Sequence, residues 1–116
     1  MHAKRSVHLL GVGNLGKLVA HSIRKSHPDI PITLLLHRSN LVEEWERAGQ
    51  SIEVTRDNVV DRQGGFDYEH VLEGQGAIWN LIVTTKAYAT VEALKPLRRR
   101  LGPSSTLLFL QNGMGT

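Results

Sequence analysis

Gly11, Gly13 and Gly16 stand in the pattern G-x-G-x-x-G, directly behind the apolar run Val7-His8-Leu9-Leu10. Behind the last glycine, Leu15, Leu18, Val19, Ser22 and Ile23 recur at the spacing of one helical face. Alone the triplet is a weak pattern. The strand, turn and helix around it make it a dinucleotide fingerprint rather than an ordinary glycine turn. The first glycine permits a tight turn, the second lets the backbone approach a pyrophosphate, and the third lets the helix pack on the strand. The phosphates then meet the N–H groups of Asn14, Leu15 and Gly16, where the positive end of the helix dipole also points.

The end of the second strand decides which dinucleotide is preferred. An acidic residue there would bind a ribose 2′-hydroxyl and repel a 2′-phosphate. This chain has His37-Arg38-Ser39-Asn40, with no carboxylate before Glu43. Arg38 can fork onto a phosphate and Ser39 can add a hydroxyl and an N–H, while His37 either assists or is simply exposed. The pattern favours NADP(H) over NAD(H), against the bland alternative of Arg38 as a solvated residue after a strand.

Two further strand ends open on the same crevice, because ligands of open α/β sheets bind outside the carboxyl ends of the strands. One carries Thr84-Thr85-Lys86-Ala87-Tyr88 and the other Leu110-Gln111-Asn112-Gly113-Met114-Gly115-Thr116. Lys86 brings a positive charge, and Asn112 an amide, to the place where a nicotinamide and an anionic substrate would meet. Either could instead be a surface lysine or a plain Asn-Gly turn.

These groups are positioned by an alternation of strands and helices. Strands are expected at 6–10, 32–36, 51–55, 77–84 and 106–110, and helices at 14–26 and 41–48. The run at 32–36, apolar but for Thr33, suits a strand buried on both faces. Ser39 or Asn40 is expected to cap the second helix, with Gly49 as its stop. Between Arg56 and Gly76 only Val59-Val60 and Tyr68 mark strand fragments. A last helix, capped by Thr90 and carrying Val91, Leu94, Leu97 and Leu101, is interrupted at Pro96 and ends at Gly102-Pro103. The alternation predicts an α/β, Rossmann-type doubly wound parallel sheet in the order 3-2-1-4-5. Residues 1–116 are expected to form one dinucleotide-binding domain, and an apolar sheet face left uncovered near Thr116 suggests a first piece of something longer.

Composition narrows the alternatives. A chain with 41% hydrophobic and 22% charged residues is globular rather than disordered, and no apolar stretch reaches the roughly 18 residues of a membrane span. The absence of cysteine excludes disulfides and thiol catalysis. With the first strand beginning almost at the N-terminus there is no room for a cleaved signal, and with no cysteine a reducing compartment, the cytoplasm, is expected. Six histidines show no metal-ligand spacing, and none of the sequence suggests a bound metal. His8 reads as a packed strand residue, and Trp45 and Trp79 as packing residues. Arg98-Arg99-Arg100 reads as a solvated helix end rather than a nucleic-acid patch.

Gly11-Val12-Gly13-Asn14-Leu15-Gly16, Thr85-Lys86-Ala87-Tyr88 and Leu110-Gln111-Asn112-Gly113-Met114-Gly115, in that order, resemble the ketopantoate reductases (2-dehydropantoate 2-reductases), and their fungal members most. The resemblance covers the chain but only the family's N-terminal cofactor domain. It implies NADPH-dependent reduction of 2-dehydropantoate, a small 2-keto acid, to (R)-pantoate on the route to pantothenate and coenzyme A. It also implies that Lys86 and Asn112 contact the cofactor and line the active site, and that Arg38 meets the 2′-phosphate. The family's helical C-terminal domain, which brings the general-acid lysine, has no counterpart here, so little turnover is expected from this chain alone. A stand-alone nucleotide-binding or regulatory module is the alternative, and a basic nucleic-acid binder a weaker third. The uncovered side of the fifth strand would favour a homodimer.

Overall fold

The computed structural model describes residues 5–110. Its sheet contains five parallel strands: β1 (Val7–Leu10), β2 (Ile32–Leu36), β5 (Asp67–His70), β6 (Asn80–Val83) and β7 (Thr106–Phe109). Their spatial order is β5-β2-β1-β6-β7. Counting sheet strands alone, this is the expected 3-2-1-4-5 arrangement. The third of them, however, is not the expected one.

Residues 51–55 do not join the sheet. Ile52–Arg56 forms β3 and pairs antiparallel with β4 (Val59–Gln63), making a separate two-stranded hairpin. The reason lies in the connection. Asp57 and Asn58 both take positive φ, 55° and 64°, which is what a two-residue turn needs to follow the twist of its strands. The chain is thereby turned back, and the third sheet position is left to Asp67–His70. Thr33 pairs with Asp67 and Leu36 with His70 in that ladder.

Helix α1 (Asn14–Ser26) and helix α2 (Ser39–Arg47) share one face of the sheet with the hairpin. Leu9, Ala20, Ile32, Leu34, Leu36, Trp45, Ile52, Phe66 and Ile82 form the core on this side. The buried line of α1 is Gly16, Ala20 and Arg24, spaced four apart, with Val19 and Ile23 beside it. Leu18 is 40% exposed and Ser22 is exposed, so the stripe read from the sequence lies slightly off the buried face. Small residues at 16 and 20 let the helix approach the sheet closely. The Arg24 guanidinium ties α1 to the exit of the hairpin, donating to the Pro28 and Gly65 carbonyls at 2.8 and 3.0 Å and stacking 5.4 Å from the Phe66 ring centre.

The opposite face carries Leu10, Leu35, Val71, Ile78, Leu81, Val83 and Leu97. It is covered by a short helix, α3 (Thr90–Leu94), with 3-10 turns on either side at Ala87–Ala89 and Lys95–Arg100. Pro96 lacks an N–H, which accounts for the change from α to 3-10 pitch. Two caps differ from expectation. Arg38 and Ala89 occupy the cap positions of α2 and α3, with Ser39 and Thr90 as first helical residues. The segment between β5 and β6 crosses this face without a helix. It is held by Arg100, whose guanidinium donates to the Gly76 carbonyl at 2.8 Å, the Gln75 carbonyl at 3.1 Å and the Glu69 carboxylate at 2.9 Å. Arg98 and Arg99 are exposed, but Arg100 is largely buried by this pairing, so the triplet is only in part a solvated helix end.

Candidate functional site: the glycine turn and the carboxyl edge of the sheet

All five sheet strands are parallel, so their carboxyl ends share one edge. That edge brings together the glycine turn after β1, His37 to Asn40 after β2, His70 at the end of β5, and Thr84 to Lys86 after β6.

The three glycines have different local reasons. Gly11 takes φ +95°, and a Cβ on it would lie 2.9 Å from both the Thr84 hydroxyl and the Thr85 amide nitrogen. A Cβ on Gly16 would press on the Gly11 carbonyl oxygen and come within 2.9 Å of Thr84 Oγ1. The fold itself therefore demands glycine at both positions. Gly13 is exposed with φ −90°, and a Cβ there would meet nothing within 4 Å. No contact inside the described chain accounts for that glycine.

Thr84 is the clasp beneath the turn. Its amide donates to the Leu10 carbonyl at 2.9 Å, and its hydroxyl is hydrogen-bonded to the Gly11 carbonyl and 3.2 Å from that of Leu10. Helix α1 begins with Gly13 as cap, without a side-chain cap or an acidic residue in its first turn. Its first amides thus face outward with the positive end of the helix dipole, a setting suited to an anion.

Helix α2 repeats that arrangement beside β2. Arg38 is the cap, no side chain bonds the first amides, and no acidic residue stands in the first turn. His37, Arg38, Ser39 and Asn40 are all exposed. Loss of solvation, helped by the nearby charges of Arg38 and His70, holds the His37 imidazole below its usual pKa. His70, absent from the residues singled out by sequence, caps the register opposite Leu36. Its Nδ1 accepts the Leu72 N–H at 3.2 Å. A cavity of about 430 Å³ opens beside it, between Val42 of α2 and the segment after β5. Recognition of Asp57-Asn58 as a hairpin turn is the signal that would have placed His70 at this edge.

Lys86 is exposed and precedes the 3-10 turn, where its carbonyl accepts from the Ala89 amide at 2.9 Å and from the Thr90 hydroxyl at 3.1 Å. The residue stands on the same edge as the glycine turn and Arg38. Asn112 falls outside the described residues. Among the described residues no cluster of histidine and carboxylate side chains could hold a metal ion. His8 is buried, and desolvation lowers its pKa, as suits a packed neutral imidazole. No helix among them is long and apolar enough to cross a membrane. A cavity of about 940 Å³ lies between residues 71–79 and 95–105. It reaches the amino ends of β6 and β7, away from the glycine turn.

Comparison with known proteins agrees with this geometry. Residues 7–116 match the family described as ketopantoate reductase PanE/ApbA. The ketoisovalerate reductase of Beauveria bassiana is 29% identical over 123 residues, covering 95% of this chain and 26% of the relative. The 2-dehydropantoate 2-reductase of Saccharomyces cerevisiae is 25% identical over 120 residues, covering 97% of this chain and 31% of that enzyme. The chain thus spans about a quarter to a third of the length of these relatives. The solved 2-dehydropantoate 2-reductase of Geobacter metallireducens superposes with a TM-score of 0.68 at 24% identity, over 95% of this chain and 35% of that one. With the parallel sheet, the glycine turn and the family match over nearly its whole length, the chain belongs to the ketopantoate reductase family and corresponds to its N-terminal domain.

Proposed function

We propose that this chain is a single NADP(H)-binding domain and the cofactor half of a reductase for a small 2-keto acid, with 2-dehydropantoate as substrate. Gly13 carries the cofactor assignment, because it is a glycine with open space where a side chain would stand. A pyrophosphate approaching the amides of Asn14, Leu15 and Gly16 is what that space would admit. Gly11 and Thr84 set the turn that aims those amides. Arg38 and Ser39, with the uncapped start of α2, form the 2′-phosphate side and account for NADP(H) over NAD(H).

A bound nicotinamide would supply the hydride. Lys86 then offers positive charge to the carboxylate of the 2-keto acid and to oxygen gaining charge at the ketone. Asn112 would line the same end. Reduction also needs a positioned proton donor, and we assign that step to residues beyond this chain. Alone, it binds NADPH with little turnover. Self-association along β7, where Leu108 and Phe109 are each 49% exposed, and a place in pantothenate synthesis in the cytoplasm complete the proposal.

The deciding experiment is a titration with NADPH and with NADH, followed by energy transfer from Trp45 and Trp79 to the reduced nicotinamide. NADPH binds in the micromolar range and NADH more weakly. Arg38→Ala lowers NADPH affinity about 10- to 100-fold, the worth of a charged hydrogen-bond pair, and leaves NADH unchanged. Failure of a folded chain to bind either nucleotide refutes the assignment. Turnover of 2-dehydropantoate near the usual 1–10³ per second, roughly, would refute the division of labour.

A further inference from the structure

The hairpin brings β5, rather than residues 51–55, against β2, and so places a second imidazole at the 2′-phosphate side. Leu36 pairs with His70, and His37 directly follows β2, so the two histidines stand at the ends of adjacent strands on the same edge. His37 precedes Arg38, the cap of α2, and lies within range of the charges of both Arg38 and His70. Because His70 Nδ1 accepts the Leu72 N–H, the proton of the neutral ring resides on Nε2, which leaves that nitrogen as a donor. The 430 Å³ cavity next to His70 gives a ligand room to reach it.

We propose that His37 and His70 join Arg38 and Ser39 as 2′-phosphate-recognition residues, sharpening the distinction between NADPH and NADH in mildly acidic solution. This rests on the NADP(H) assignment above. In the free chain, loss of solvation and then the neighbouring charges of Arg38 and His70 disfavour protonation of His37. A phosphate carrying close to two negative charges reverses that balance, so its arrival draws a proton onto His37, while His70 donates from its Nε2–H with Nδ1 still accepting from Leu72. Binding that takes up protons tightens as pH falls, by up to tenfold for each unit that a histidine pKa rises.

Arg38 stays cationic throughout. Glu43 and Glu44 stand on α2, and Glu46 there accepts the Tyr68 hydroxyl at 2.6 Å. Glu69 is paired with Arg100, and Glu73 lines the cavity with His70. Between pH 5.8 and 8, imidazole is the ordinary side chain that changes charge.

Calorimetric titration of the chain with NADPH and NADH across that range tests the proposal, using buffers of different ionisation enthalpy to count protons. NADPH binding takes up protons while NADH binding takes up none. The NADPH-to-NADH affinity ratio rises at least tenfold from pH 8 to 5.8, after allowance for protonation of the nucleotide's own phosphate with a pKa of about 6. That allowance comes from the double variant His37→Gln, His70→Gln, which retains NADPH preference but loses the rise. Identical pH profiles for the wild type and the double variant, with Arg38→Ala still abolishing NADPH preference, overturn the imidazole role alone. Absence of NADPH preference at every pH overturns the NADP(H) assignment and this proposal with it. Proton uptake by the wild type needs no variant to fold.

Discussion

Alanine at position 13 and alanine at position 16 add the same methyl group three residues apart, with opposite consequences. At Gly16 the new Cβ presses on the Gly11 carbonyl and lies 2.9 Å from Thr84 Oγ1. Both neighbours are fixed, the first by the backbone and the second by its hydrogen bonds, so the turn must deform. Overpacking of this kind costs about 1–3 kcal/mol, which lowers the unfolding midpoint of a small domain by roughly 4 to 20 °C. A Cβ at Gly13 would meet nothing within 4 Å beyond its chain neighbours, and φ is −90°, a value alanine adopts freely. Lost freedom in the unfolded chain stabilises by about 0.4–1 kcal/mol, and poorer capping by alanine offsets it by a similar amount. Gly13→Ala therefore melts within about 5 °C of wild type. Its effect falls on the ligand, since the methyl occupies the approach to the α1 amides. A tenfold or greater loss of NADPH affinity follows, or about 1.4 kcal/mol. Circular-dichroism melts paired with nucleotide titrations of both variants decide the matter. A Gly13→Ala midpoint as low as that of Gly16→Ala would refute the open space. Unchanged NADPH affinity at a wild-type midpoint would refute the pyrophosphate site.

Three other changes test how the frame is held. Thr84→Val keeps the shape but removes the hydroxyl bonded to the Gly11 carbonyl, so stability drops by about 1 kcal/mol in urea titrations. Arg100→Met leaves the Glu69 carboxylate and the Gln75 and Gly76 carbonyls without their donor; a loss of about 3 kcal/mol is expected, with faster amide exchange across 71–77. The Asp61 carboxyl is held below its usual pKa by the Gln63 amide, then by Lys25 and His21. A carboxylate with a depressed folded pKa stabilises above its unfolded value and loses that contribution as pH falls through the folded one. The wild type should therefore lose stability below about pH 4 more steeply than Asp61→Asn, as read from urea midpoints at pH 3 and 6.

The parts of this fold legible in the sequence were those in which one physical demand dominates. Ile32–Leu36 is apolar but for Thr33 and buried throughout, because helices or crossing segments cover both sides of β2. The glycine triplet announced its turn because two of its members have no room for a side chain. Residues 51–55 misled because an alternating segment fits either a sheet or a hairpin, and only the positive-φ pair Asp57-Asn58 separates the two. Tyr68 marked a strand fragment, but the place of Asp67–His70 in the sheet stayed hidden because an edge strand needs few apolar groups. Tyr68 sends its hydroxyl to Glu46 on α2, while Glu69 pairs with Arg100 from the opposite face. His70 was missed with its strand. Arg38, Ser39, Thr84 and Lys86 do stand on the edge where the sequence put them, whereas Asn112 lies outside the described residues.

The β3–β4 hairpin also bears on how the chain reaches this state. Before β5 can add to β2, Leu36 must meet His70 across α2 and everything between them. The two-residue turn closes first, on the microsecond scale expected of hairpins, and draws Ile52 and Gln63 together. The intervening excursion is then effectively shorter, and each halving of a flexible loop eases closure by about 0.6 kcal/mol. Loosening the turn at Asp57-Asn58 should therefore slow folding through late capture of the edge strand, leaving β2 as an unpaired template for other chains in the meantime.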